Sequence, residues 1–135
     1  MDERLREPVR QRVGNRCEYC LIPQEATPYF TFHVEHVIPR QHAGDTDDPR
    51  RLALACNRCN AYKGPNLSSI DPATGEVVRL FNPREDTWQE HFVFEGSEVI
   101  GITLVGRATV NLLRMNAPHR VELRGEWLAE GGTLA

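Results

Sequence analysis

The sequence has 135 residues, one domain's worth of chain, of which 40% are hydrophobic, 26% charged and 7% aromatic. That composition excludes a disordered tail, a coiled coil and a collagen-like fibre. The net charge of -3 argues against a passive polyanion binder held by bulk attraction, and no stretch approaches the roughly 18 apolar residues of a membrane span.

The charge is unevenly spread. Residues 1–66 hold ten Lys or Arg against nine Asp or Glu, whereas residues 67–135 hold six against ten. Arg4, Arg6, Arg10, Arg12 and Arg16 crowd the amino-terminal end, a run that reads either as a solvated helix face or as a nucleic-acid contact. Residues 1–6 carry acids and no apolar h-region, so no secretory signal is expected and the cytoplasm is the expected compartment. Pro8 suits the first turn of a short helix, Val9 and Val13 lie one turn apart, and Gly14 can take the left-handed stop. Pro23 to Pro28 is loop.

Tyr29 to Ile38 is aromatic and β-branched and predicts a strand, ended by Pro39. A polar loop follows from Gln41 to Arg51, with Gly44, Asp45, Asp47, Asp48 and Pro49. Leu52-Ala53-Leu54-Ala55 reads as a short buried strand, and Asn57 to Lys63 as a brief helix stopped by Gly64-Pro65. Beyond it, Asp71-Pro72-Ala73-Thr74-Gly75 is a turn ahead of a strand from Glu76 to Phe81. Phe92-Val93-Phe94 and Val99 to Ile102 flank Glu95-Gly96-Ser97-Glu98 as a hairpin. Two helices are expected over Arg107–Met115 and Pro118–Ala129, their buried faces marked by Ala108/Leu112 and Val121/Leu128. Trp88 and Trp127 are expected in the core.

The cysteines fall in two pairs of identical spacing, Cys17-Glu18-Tyr19-Cys20 and Cys56-Asn57-Arg58-Cys59. Paired C-x-x-C turns suit a tetrahedral thiolate zinc site, because each turn supplies two of the four soft ligands the ion takes. Two disulfides or a redox dithiol are the competing readings. The first sits poorly without a secretory signal, the second without a single motif in a βαβ setting. The gap of 35 residues between the pairs exceeds that of a simple zinc ribbon, so something is folded between them.

The stretch His33-Val34-Glu35-His36-Val37-Ile38-Pro39, followed by Leu52 to Ala55 and Cys56-Asn57-Arg58-Cys59-Asn60-Ala61-Tyr62-Lys63-Gly64, resembles the HNH endonuclease family in its zinc-knuckle form. The tail, with Asp71 to Glu76 and Leu80-Phe81-Asn82-Pro83-Arg84, looks like small stand-alone bacterial members. The resemblance implies an α+β fold: a zinc-stabilised β-β-α (His-Me finger) nuclease unit over residues 1–66 with an N-terminal helix. A C-terminal β-hairpin and two-helix extension over residues 67–135 would pack on it in a single compact domain. It implies hydrolysis of DNA phosphodiester bonds with His36 as general base, and Glu35 and Asn60 as ligands of a catalytic Mg²⁺ or Mn²⁺. Lys63, Arg51, Arg40 and Arg58 are the expected contacts to DNA, and Cys17, Cys20, Cys56 and Cys59 the ligands of a structural Zn²⁺. No membrane partner is expected.

One position departs from the family. Arg51 stands where the family has its middle Asn, which braces the loop and helps orient the general-base histidine, and arginine has no acceptor with which to copy an amide. Either the backbone braces the loop while Arg50 or Arg51 grips DNA, or activity is weakened. The rival reading is therefore a non-catalytic zinc module on the same scaffold, binding nucleic acid or protein. His33 and His42 are secondary candidates, as metal or phosphate contacts; His91 and His119 read as surface residues.

Overall fold

The computed structural model describes residues 1–43 and 47–134; Gly44 and Asp45 of the expected polar loop lie outside the described residues. Asp2 caps α1 (Glu3–Arg12), its carboxylate accepting from the Arg4 amide at 2.8 Å. This cap starts the helix well before Pro8, which sits inside it instead of opening it. Val9 is fully buried, and Gly14 and Asn15 take positive φ to turn the chain into the first cysteine pair.

β1 (His33–His36) is shorter than the expected strand. Its antiparallel partner β2 (Leu52–Ala55) offers four residues, from His33 opposite Ala55 to His36 opposite Leu52, so pairing ends where β2 ends. The aromatic residues before it do not extend the ladder: Phe32 is buried, whereas Tyr29 is 92% exposed. Between the strands lie α2 (Arg40–Ala43) and a 3₁₀ turn at Pro49–Arg51. Every residue of β2 is buried, and α3 (Asn57–Lys63) follows it directly, with the expected bounds.

In the second half the expected Glu76–Phe81 strand is shorter and gains an unexpected partner. β3 (Ser68–Ile70) runs antiparallel to β4 (Val77–Arg79) across the Asp71–Gly75 turn. Asp71 is buried and takes a two-pronged ion pair from Arg107, with both N···O distances 2.9 Å. The guanidinium holds the Asp71 carboxyl down to about 2. The pair ties this turn to the helix that carries Arg107.

α4 (Trp88–His91) leads into the hairpin β5 (Phe92–Glu95) and β6 (Glu98–Gly101), turned at Gly96 with φ +61°. α5 (Leu104–Leu113) begins at the Thr103 cap and approaches α4 so closely that a side chain at Gly106 would collide with the His91 carbonyl. α6 (Pro118–Ala129) opens on Pro118, as expected of proline at the first helical position.

Its buried face differs from the expected one. Arg120 and Arg124 are buried, while Leu128 is exposed. The fold is mixed α/β, with its apolar core running from Val9, Tyr19 and Phe32 through Leu52 and Leu54 to Phe81, Phe92 and Leu113. Trp88 and Trp127 pack against that core, each half-buried, with the indole N–H groups donating to the Tyr19 and Thr133 carbonyls. Among the described residues no helix is long and apolar enough to cross a membrane.

Candidate metal centre and active-site cleft

Each cysteine pair is shaped by a local turn. In the first, the Leu21 amide donates back to the Cys17 carbonyl at 3.0 Å, and Leu21 takes φ +64° to close the loop. In the second, Cys56 follows the last residue of β2 and caps α3, its sulfur accepting from the Cys59 amide at 3.4 Å. The four sulfurs lie within 4.8 Å of one another; all four residues are buried and none is in a disulfide.

A tetrahedral zinc with Zn–S of about 2.3 Å has sulfur–sulfur edges of about 3.8 Å, and Cys20 Sγ lies 3.8 Å from Cys56 Sγ. The set can hold a metal ion such as zinc. Burial pushes the Cys17 and Cys59 thiols up, while hydrogen bonds from Cys17 and its neighbours pull Cys20 well below the usual thiol range. Arg120 completes the surroundings from α6. Its guanidinium donates to Cys59 Sγ at 3.0 Å and reaches Cys56 Sγ at 3.7 Å. Sequence reasoning missed this residue, whose only signal was charge on a helix expected to bury an apolar stripe.

The second cluster lies at the end of β1. A cleft of 510 Å³ is lined by Glu35, His36, Arg40, Asn60 and Pro65 among others. Glu35 and His36 are consecutive on a strand, so the pleat turns them to opposite faces; the cleft nevertheless reaches both because it opens where the strand ends. His36 Nε2 lies 2.9 Å from Asp47 Oδ1, and Arg40 donates to the same oxygen at 3.2 Å. The His36 contact, followed by Arg40, holds the Asp47 carboxyl below its ordinary value. Asp47 is a neighbour the sequence did not single out, since nothing in a polar loop marks which aspartate folds back.

Glu35 is nearly enclosed. The Tyr19 hydroxyl donates to one carboxylate oxygen, and Lys63 Nζ lies 3.4 Å from the other. Burial pushes the Glu35 carboxyl up, against the pull of Lys63 and Tyr19. Lys63 itself is 2% exposed. Its expected contact to a DNA phosphate therefore gives way to an internal ion pair: the last turn of α3 packs the ammonium inward, against β1.

Other expected residues are placed as follows. Asn60 sits on α3 facing the cleft with Glu35 and His36. A carboxylate and an amide oxygen are hard donors, and with water they suit Mg²⁺ or Mn²⁺, which take few protein ligands. Arg51 is exposed, but its backbone braces the strand pair: the Val37 amide donates to its carbonyl at 2.9 Å, and its own amide donates to the Asp48 carbonyl at 2.8 Å. Arg58 is exposed on α3 and Arg40 opens α2 at the rim of the cleft. His42 Nε2 approaches the Pro65 carbonyl at 3.1 Å, and His33 is exposed among the residues lining the cleft. His91, expected at the surface, instead meets the Thr103 hydroxyl at 2.6 Å and stacks edge-on to Phe81.

Residues 17–66 match the family model described as HNH endonuclease. This segment is thus similar to the HNH endonuclease family. The HNH segment carries all four cysteines together with Glu35, His36, Asp47 and Asn60. Two curated relatives match more of the chain. The chain is 30% identical over 110 residues to a Septu protein PtuB of Bacillus thuringiensis, covering 80% of this chain and 39% of that protein. It is 24% identical over 149 residues to a Septu protein PtuB of Bacillus mycoides (strain KBAB4), covering 93% of this chain and 50% of that protein. The chain thus spans half or less of the length of these relatives. No solved structure matches it.

Proposed function

We propose that the chain is a divalent-metal-dependent endonuclease that hydrolyses DNA phosphodiester bonds. The observation that carries this reading is the meeting of His36, Glu35 and Asn60 at one cleft inside a segment similar to the HNH family. In this reading β1, β2 and α3 form the β-β-α nuclease unit within residues 1–66. The hairpin and helices of residues 67–135 are an extension packed on it. Zn²⁺ on the four cysteines is structural, and buried unpaired thiols fit a reducing compartment such as the cytoplasm.

Glu35 and Asn60 would hold the catalytic Mg²⁺ or Mn²⁺, which when bound supplies positive charge for the transition-state phosphate. His36 takes the proton from the attacking water, a task that suits an imidazole ring nitrogen presenting a lone pair. Arg40, at the rim, and the exposed Arg58 and Arg51 hold the DNA backbone, so binding falls as salt rises. The acidic second half stays off the DNA. Lys63 serves the site from inside, as the counter-ion of Glu35. The resemblance to the family gives a 3′-hydroxyl and a 5′-phosphate as products.

Arg51 in place of the family's Asn favours a second reading, a non-catalytic zinc module that binds nucleic acid or protein. Nicking of supercoiled plasmid with Mg²⁺ or Mn²⁺ separates the two. Wild type is expected to nick and His36→Ala to lose about 10²–10⁴-fold in rate, the size of a general-base contribution. Absence of nicking by wild type removes the enzyme reading, and equal nicking by both proteins leaves it without His36 as its base.

A further inference from the structure

The imidazole of a general base needs a fixed tautomer as well as a position. Of the two ring nitrogens, one has to carry its proton away from the water so that the other presents a lone pair. Arg51 cannot fix this in His36, because its side chain is exposed and has no acceptor. The side chain that reaches the ring is Asp47, with its Oδ1 at 2.9 Å from Nε2. We propose that Asp47 is the positioning residue of His36, holding the ring from the loop between β1 and β2. The proposal rests on the nuclease reading above.

A carboxylate only accepts, so Nε2 facing it is the N–H donor and the lone pair is left on Nδ1. Nδ1 has no hydrogen-bond partner among the described residues, and the ring lines the cleft with Glu35 and Asn60. Arg40 bonds to the same carboxylate oxygen at 3.2 Å, which keeps Asp47 ionised and fixes its orientation.

The backbone directly after Asp47 is anchored too. Asp48 caps the 3₁₀ turn by accepting from the Arg50 amide at 2.9 Å, and its carbonyl accepts from the Arg51 amide at 2.8 Å. The turn thus sets Asp47 against β1 on one side while the Arg51 carbonyl, bonded to the Val37 amide, closes the strand pair on the other.

In the step this serves, water gives one proton to His36 Nδ1 and its oxygen bonds to phosphorus. The bond from phosphorus to O3′ breaks, its electron pair stays on O3′, and O3′ takes a proton from solvent. The ring, now protonated at both nitrogens, is a cation with Asp47 facing its Nε2–H, and it returns the Nδ1 proton to solvent. Asp47 touches neither water nor phosphate; it acts through the ring.

Two readouts test this. Long-range ¹H–¹⁵N spectra of the labelled, zinc-loaded protein at alkaline pH report the tautomer without any need for turnover. Wild type is expected in the Nε2–H form, and Asp47→Ala in a mixture of both forms. In the plasmid assay Asp47→Ala is expected to lower kcat about tenfold to hundredfold, the size typical for losing the outer partner of a functional histidine, with KM for DNA unchanged. The near-isosteric Asp47→Asn serves as the folding control, and its kcat should also fall because the amide no longer forces Nε2 to donate. A wild-type Nδ1–H tautomer, or a tautomer and kcat indifferent to Asp47→Ala, overturns the proposal while leaving the nuclease reading intact. If wild type does not cleave, the nuclease reading fails, and with it the proposed role of Asp47 in water activation. The tautomer spectra would then report only whether Asp47 still fixes the ring.

Discussion

Glu35 and Lys63 show how a single buried contact can change the assignment of a residue. From sequence, a lysine three positions after Asn60 on one short helix reads as a phosphate contact. In the fold its ammonium is enclosed and 3.4 Å from the Glu35 carboxylate. Two charges taken out of water depend on each other, and removing one leaves the other uncompensated. Glu35→Gln or Lys63→Met alone is therefore expected to cost about 3–5 kcal/mol of stability, and the double substitution less than either single one. Urea midpoints at constant m-value measure this cycle. Simple additivity of the two losses would show that the charges do not stabilise each other. The identities of Glu35, His36 and Asn60 as candidates were legible in sequence because motif positions are local. The partners of Glu35 and His36 were not, because Tyr19, Asp47 and Lys63 reach them across turns that no periodicity encodes.

At the scale of elements, α6 carries the clearest lesson. Its bounds were legible, since proline marks the first turn and the helix runs as expected to Ala129. Its orientation was not. An apolar stripe through Val121 and Leu128 was the reasonable expectation, yet the helix buries Arg120 and Arg124, one turn apart. These guanidiniums find carbonyls: Arg120 donates to Leu113 O at 2.6 Å, and Arg124 to Met115 O at 2.7 Å. They thereby cover the end of α5, and Arg120 adds its bonds to Cys59 and Cys56.

Four thiolates around Zn²⁺ leave a doubly negative centre, which a buried cation offsets. Arg120→Met is expected to destabilise the fold by about 3–5 kcal/mol and to speed zinc loss to a colorimetric chelator. Thermal melts and release kinetics read the two effects separately. Release at the wild-type rate would mean that Arg120 holds only the α5 carbonyls. Strands follow the same logic in reverse. β1 was expected to run from Tyr29 and is confined to His33–His36 because β2 has no more residues to pair. β3 was missed because Ser68-Ser69-Ile70 carries little strand signal without its partner β4.

Across the whole molecule, the cysteine cluster is where distant parts of the chain converge. Residues 17–20 follow α1, residues 56–59 join β2 to α3, and α6 arrives from the far end through Arg120. Trp88 adds a further link by donating to the Tyr19 carbonyl at 2.8 Å between the first pair's cysteines. Metal bound at such a point is coupled to folding of everything it gathers, with apparent free energies on the order of 10–16 kcal/mol in zinc-finger peptides. Chelation of zinc, or Cys17→Ser, is thus expected to abolish the cooperative thermal transition of the whole chain instead of lowering turnover alone. Calorimetry with elemental analysis of the purified protein checks this. A Cys17→Ser protein that is metal-free yet melts like wild type would remove the structural role of the site.

The sequence by itself determined the two C-x-x-C turns, the Glu35-His36 pair ahead of Pro39 and the Cys-Asn-x-x-Lys-Gly helix. Each is set by chemistry within a few residues: a sulfur or carboxylate capping an amide, a proline or glycine ending an element. Only the tertiary structure decided which charges meet, bringing Asp47 to His36 across 11 positions and Arg120 to Cys59 across 61. The physical reason is burial. Once a charged group leaves water it takes whatever partner the packing brings to it, and that choice is made by the shape of the core, not by spacing along the chain.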